Sequence, residues 1–144
     1  MQPQELADPI FGNEGRVFIG DKPWAAFRKE FGPTKGYITI YVDVINGDIP
    51  KSQRDLYIEI EAWYPRVIPD IFESIFREIT RYETAKKFSS PDKIQNHFQL
   101  KSVDIRGHIP PSKCVLHYQT GVDVFDWYVR ISKDYRIECC GPED

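Results

Sequence analysis

Residues 50–82, PKSQRDLYIEIEAWYPRVIPDIFESIFREITRY, hold the only long run of helical periodicity in the chain. At ~100° per residue, Leu56, Tyr57, Ile60, Trp63 and Tyr64 fall in one apolar stripe, while Arg54, Asp55, Glu59 and Glu61 point elsewhere. The stripe resumes with Ile68, Ile71, Phe72, Ile75, Phe76, Ile79 and Tyr82. A stripe of that width is what a helix buries against a sheet. Asp48 or Ser52 is a candidate cap, and Pro50 suits a first turn because its missing N–H is unpaired there anyway. An interior proline costs a helix ~3 kcal/mol and disfavours the helical region for the residue before it. Pro65 and Pro69 therefore predict two helices, or one sharply kinked helix, broken between Tyr64 and Pro69. Both parts face one core, with Trp63 and Phe76 as their anchors. Ile58 is the one large apolar residue on the wet side of the first part.

The flanking segments read as short strands. In GYITIYVDVI, Ile38, Ile40, Val42 and Val44 alternate with Tyr37, Thr39, Tyr41 and Asp43, and Asn46-Gly47 then turns the chain. RVFIG is a short strand, and residues 1–9 read as a loose arm. Residues 21–31 fit either a short helix capped by Asp21 and stopped at Gly32, or a strand. Beyond the helical stretch, residues 83–99 read as a polar surface connection in which Ser89-Ser90-Pro91-Asp92 starts one helical turn. Residues 101–106, KCVLHY, FDWYVRI and YRIECC are strand candidates. The last two form a hairpin in which Ile131 opposes Tyr135, Val129 opposes Ile137, Trp127 opposes Cys139 and Arg130 opposes Arg136.

A chain of 144 residues holds one domain with a substantial core. Its net charge of -3 argues against general nucleic-acid binding. No apolar run approaches the ~20 residues that cross a bilayer, and the N-terminus lacks the pattern of a secretory signal. Three cysteines fit a reducing cytoplasm better than a disulfide scaffold.

The chemistry-bearing residues do not assemble into a motif. Cys114 and His117 have half of a zinc spacing, but residues three apart on a strand point to opposite faces. Cys139-Cys140 ends a strand with one thiol on each face. His97, His108 and His117 are scattered. No catalytic residue, metal or cofactor is assigned. Tyr37, Tyr41 and Tyr128 lie on the polar faces of their strands and are candidate binding residues, since tyrosine buries a rigid ring while keeping a polar handle. Arg130 and Arg136 are candidates for contacting a small anion or a partner carboxylate.

Trp24, Gly47, Pro50, Gln53, Tyr64 and Pro65, with Asp126-Trp127 near the end, carry a resemblance. The run from Gly36 to Phe76 resembles a bacterial domain of unknown function in which a tryptophan strand and an alternating strand lead into a G-x-x-P-x-x-Q helix with a Tyr-Pro kink. The likeness covers about two-thirds of the chain, and its motifs are mostly turn, cap and core residues. Similar domains occur in small stand-alone bacterial proteins, some near toxin–immunity loci. The resemblance implies a strand for residues 24–31 and carries no catalytic residues. The polar 83–99 connection departs from it.

The expectation is a single α+β domain over residues 1–144, a largely antiparallel sheet with the 50–82 helices on one face. The expected function is protein binding without catalysis, extending to neutralisation of a toxin as an immunity protein does. The acidic balance suits a basic partner such as a nuclease domain. The rival readings are an enzyme with a site assembled from distant residues, which a pocket with convergent His, Asp and Cys would favour, and a structural or accessory module.

Overall fold

A computed structural model describes residues 4–79, 90–107, 112–120 and 126–142, with only the backbone of residues 4, 92, 112 and 139. Two four-stranded meanders flank one long helix. The first comprises β1 (Gln4–Asp8), β2 (Gly12–Phe18), β3 (Trp24–Phe31) and β4 (Gly36–Asp43). The helix α1 (Lys51–Ile79) and the short α2 (Pro91–Gln95) follow, and then β5 (Phe98–Asp104), β6 (Ser112–Thr120), β7 (Trp127–Ser132) and β8 (Ile137–Pro142). All eight strands form one sheet in sequence order. Every pairing is antiparallel except the central one, where β4 and β5 run parallel through Thr39↔Ser102, Ile40↔Val103 and Tyr41↔Asp104. A parallel pair needs a long crossover, and α1 supplies it. The fold is α+β, as the alternation of strands around one helical stretch predicts.

Strand alternation gives the sheet a covered and an open face. Phe27, Ile38, Ile40, Val42, Val103, Cys114, Leu116, Tyr118, Trp127, Val129 and Ile131 are buried on the covered face. The helix lies on it. Tyr57 and Tyr64 meet Phe31, and Phe72 meets Phe98 and Tyr118. Gly15 permits one close approach in this layer, since a Cβ there would collide with the Phe27 ring.

Of the two expected forms, the pair of separate helices is ruled out: α1 is one helix whose 29 residues include both prolines. Pro65 and Pro69 are exposed and one helical turn apart, so the carbonyls they deprive of partners, those of Glu61 and Pro65, lie on the side turned from the sheet. The buried stripe Tyr57, Ile60, Tyr64, Val67, Ile71, Ile75 and Ile79 passes behind them unbroken. Trp63 and Phe76 are only partly buried against this core, so the anchors are the stripe residues instead. Asp48 accepts from its neighbour's N–H at Ile49 and from Arg54, while the N–H groups of Gln53 and Arg54 in the first turn reach the Pro50 carbonyl. Tyr82 lies outside the described residues.

Three further expectations change, while residues 24–31 form the strand β3 that the resemblance implies. Residues 4–8 are an edge strand, not part of a loose arm. Asp8, 3% exposed, accepts from the N–H groups of Ile10 and Phe11 and from the Arg54 side chain, which ties the first hairpin to α1. The second half of the 83–99 connection is anchored, because α2 buries Ile94 completely and Phe98 opens β5; residues 80–89 lie outside the described set. In the last hairpin, Ile131 opposes Ile137, Arg130 opposes Cys139, Val129 opposes Cys140 and Trp127 opposes Pro142. The expected register is overturned by two local features. Tyr135 takes a left-handed φ of 60° inside the turn, and a bulge falls between Arg130 and Ile131.

Candidate functional site

The open face of the sheet bears the side chains that α1 does not cover. Rows run across it through the strand pairings: Glu5, Arg16, Ala26, Tyr41, Asp104, Val115, Arg130 and Cys139 form one, and Arg28, Thr39, Ser102, His117, Tyr128 and Gly141 the next. Tyr37, Tyr41, Tyr128 and Arg130 therefore share this face, as strand parity predicts, but they do not form one cluster. Tyr37 is 59% exposed at the far end of β4. Tyr128 lies over Gly141, where a Cβ would sit 3.4 Å from its ring. Arg130 has a buried Nε without a hydrogen-bond partner. Arg136 sits in the β7–β8 turn, its carbonyl accepting from the Ser132 N–H, so the two arginines do not face each other as expected. Cys114 is buried on the covered face and His117 belongs to the open one, which separates the pair. Burial pushes the Cys114 thiol up to about 12. Cys140 donates to the Ser74 carbonyl, while the Cys139 side chain and His108 lie outside the described residues. Among the described residues no group of three or more His, Cys, Asp or Glu could hold a metal.

The organised part of the face is at one end, where the β2–β3 turn, the end of β4 and the residues after β5 converge. Phe18 stacks on Trp24 at 4.2 Å, and Trp24 meets Tyr41 at 5.7 Å. The Arg106 guanidinium lies 4.9 Å from the Trp24 ring centre and 5.4 Å from that of Tyr41. Its Nε and Nη2 donate to buried Asp104, the shorter bond at 2.6 Å. That bond, opposed in part by burial, raises the guanidinium above its ordinary pKa. The result is a fixed aromatic and cationic wall.

Beside the wall is a cleft of ≈ 450 Å³ lined by Asp21, Lys22, Pro23, Asp43, Val44, Ile45, Asn46 and Gly107. Gln53 at the start of α1 fixes its inner carboxylate: Nε2 donates to Asp43 Oδ2 at 2.6 Å while Oε1 accepts the Asp43 N–H at 2.7 Å. The Gly107 N–H donates to the same oxygen at 2.7 Å, and a Cβ at Gly107 would crowd it at 3.2 Å. Asn46 and Gly47 both have positive φ, 54° and 80°, and form the two-residue turn that closes the Ile45↔Asp48 bridge. This turn holds Ile45 out at 57% exposure, and Phe18 and Ile19 are 37% and 50% exposed nearby in sequence to the cleft's Asp21, Lys22 and Pro23.

Sequence reasoning reached Tyr41 and missed the rest of this end. Phe18, Ile45, Arg106 and Asp104 belong to different strand ends, and no periodicity links them. The one local signal was Gln53, a polar side chain inside an apolar stripe and 8% exposed, which needs a buried partner. Comparison with known proteins finds no matching family model, no matching curated protein and no matching solved structure. No comparison supports the resemblance read from Trp24, Gly47, Pro50, Gln53, Tyr64 and Pro65. Among the described residues no helix is long and apolar enough to cross a membrane.

Proposed function

We propose that the chain is a non-catalytic protein-binding module whose partner docks on the cleft end of the open sheet face. The observation that carries this reading is exposed Phe18 and Ile45 beside a pre-formed aromatic wall and cleft, with exposed Ile19 next to Phe18 in sequence. Exposed apolar side chains beside rigid aromatics and a clamped arginine are the composition of interface centres. The described lining of the cleft brings two carboxylates and one lysine beside these side chains. The form we favour is an immunity-like protein in a reducing cytoplasm, neutralising a basic toxin domain such as a nuclease. The net charge of -3 and the carboxylates of the cleft suit such a partner.

The test is co-expression with any toxin that the neighbourhood of this gene encodes. Growth is restored by the native chain and lost with a triple Phe18→Ser, Ile19→Ser, Ile45→Ser variant whose thermal midpoint is unchanged. Full protection by that variant, or no toxic neighbour to neutralise, defeats the reading.

A further inference from the structure

We infer that Arg130 anchors a carboxylate-binding site on the open face of the sheet, apart from the cleft. Among the described residues three arginines are half-buried: Arg54, Arg106 and Arg130. The first two each hold a buried aspartate, Arg54 donating to Asp8 and Arg106 to Asp104. Arg130 breaks this pattern. No ion pair among the described residues includes it. Its Nε is buried without a hydrogen bond. A cation stripped of part of its water and given no counter-charge is costly, and an incoming carboxylate removes that cost.

The strand pairings place the surroundings. Val115 lies directly opposite Arg130 on β6, 5% exposed, and Cys139 opposite it on β8. His117 and Tyr128 pair with each other one diagonal step away, so an imidazole and a phenol line the site beside the arginine. Asp104 stands two strands off in the same row, about 10 Å away, and its carboxylate is held by Arg106. Glu138, the extra residue of the β7–β8 bulge, is exposed and makes no ion pair with Arg130. With Nε shielded, the two Nη groups are left to receive a ligand. They form a fork of parallel N–H donors that matches the two oxygens of a carboxylate. One guanidinium suits a monoanion better than a multiply charged phosphate, which the net charge of -3 also opposes.

The side-chain Nε–H signals of Arg54, Arg106 and Arg130 in the isotope-labelled full chain test this without any partner, and so independently of the protein-binding reading. Acetate and Nα-acetyl-glutamate methylamide are titrated at constant ionic strength, balanced with chloride. Both should shift the Arg130 signal saturably. The Arg54 and Arg106 signals, already paired with aspartate, should stay in place, and Nα-acetyl-glutamine methylamide should move none of the three. Arg130→Lys keeps the charge and loses the fork. With its thermal midpoint unchanged, it should bind acetate about fivefold more weakly or worse, read from the amides of Val115 and Tyr128. Tighter binding of blocked glutamate than of acetate assigns the carboxylate to a peptide side chain, and the reverse order to a small free acid. The inference is overturned if neither carboxylate moves the Arg130 signal, or if Arg130→Lys binds acetate as the native chain does. It is overturned equally if blocked glutamine or inorganic phosphate shifts that signal as much as the carboxylates do.

Discussion

Ile58 and Ile60 stand two residues apart on α1, one 52% exposed and the other fully buried. The 3.6-residue period puts that difference in the sequence. Ile60→Ala should cost about 2–5 kcal/mol through lost transfer energy and the cavity left behind. Ile58→Ala should change stability by less than about 0.5 kcal/mol. Chemical denaturation of the two variants checks the pair, and equal losses would mean that the helix face is misplaced. Buried titratable groups make a second prediction at this scale. Burial raises Cys114 from 9.0 to about 12 and Tyr64 from 10.0 to about 12, so the folded state favours their neutral forms. A raised acid contributes stability that is complete below its unfolded pKa and is lost as the pH climbs through the folded value. Stability should therefore hold to about pH 9 and fall as the pH approaches 12. Cys114 should also resist iodoacetamide near neutral pH until denaturant is added, as mass spectrometry would show. Rapid alkylation of native Cys114 would contradict its burial.

At the scale of elements, the continuity of α1 sets a measurable demand. A proline inside a helix forfeits one hydrogen bond and strains the preceding turn, at ~3 kcal/mol, offset in part by its stiffening of the unfolded chain, about 0.4–1 kcal/mol. Because Pro65 and Pro69 sit on the exposed side, alanine at either position should stabilise the protein by about 1 kcal/mol or more without repacking the core. Denaturation midpoints that stay level or fall would show that the prolines favour the helix geometry that lets the stripe follow the sheet. The same helix shows what the sequence reveals. Its stripe and the alternation of β4, β6 and β7 are local periodicities, and all were readable. The hold on β1 was not, because Asp8 and Arg54 are distant in sequence and the strand itself is polar. The β7–β8 register was not, because one left-handed residue and one bulge move it. Tyr41 was placeable by parity, whereas the cleft is lined from three separate strand ends and has no sequence period at all.

Over the whole molecule, the question is whether two meanders joined by one short parallel seam behave as one body. They share a core that neither owns. Tyr64 of α1 meets the Phe31 ring of the first meander at 5.3 Å, and its hydroxyl pairs with Tyr118 of the second at 2.8 Å. Phe11 and Phe27, from the first half, Phe72 of α1, and Phe98 and Trp127, from the second meander, belong to the same cluster of buried residues. Losing either meander would expose the stripe of α1 that the other cannot cover, so unfolding should be all-or-none. The three tryptophans report this directly, since Trp24 is in the first meander, Trp63 on the helix and Trp127 in the second. Variants keeping one tryptophan each, the others changed to Phe, should give fluorescence transitions whose midpoints coincide with that of the far-ultraviolet circular dichroism of the same variant. Tyr64→Phe should lower all three midpoints together. It removes one buried hydrogen bond and strands the Tyr118 hydroxyl, at about 1–3 kcal/mol. If Trp24 and Trp127 instead reported separate transitions, the seam through Thr39, Ile40 and Tyr41 would be a boundary between two folding units, and Tyr64 a contact made only after each had formed.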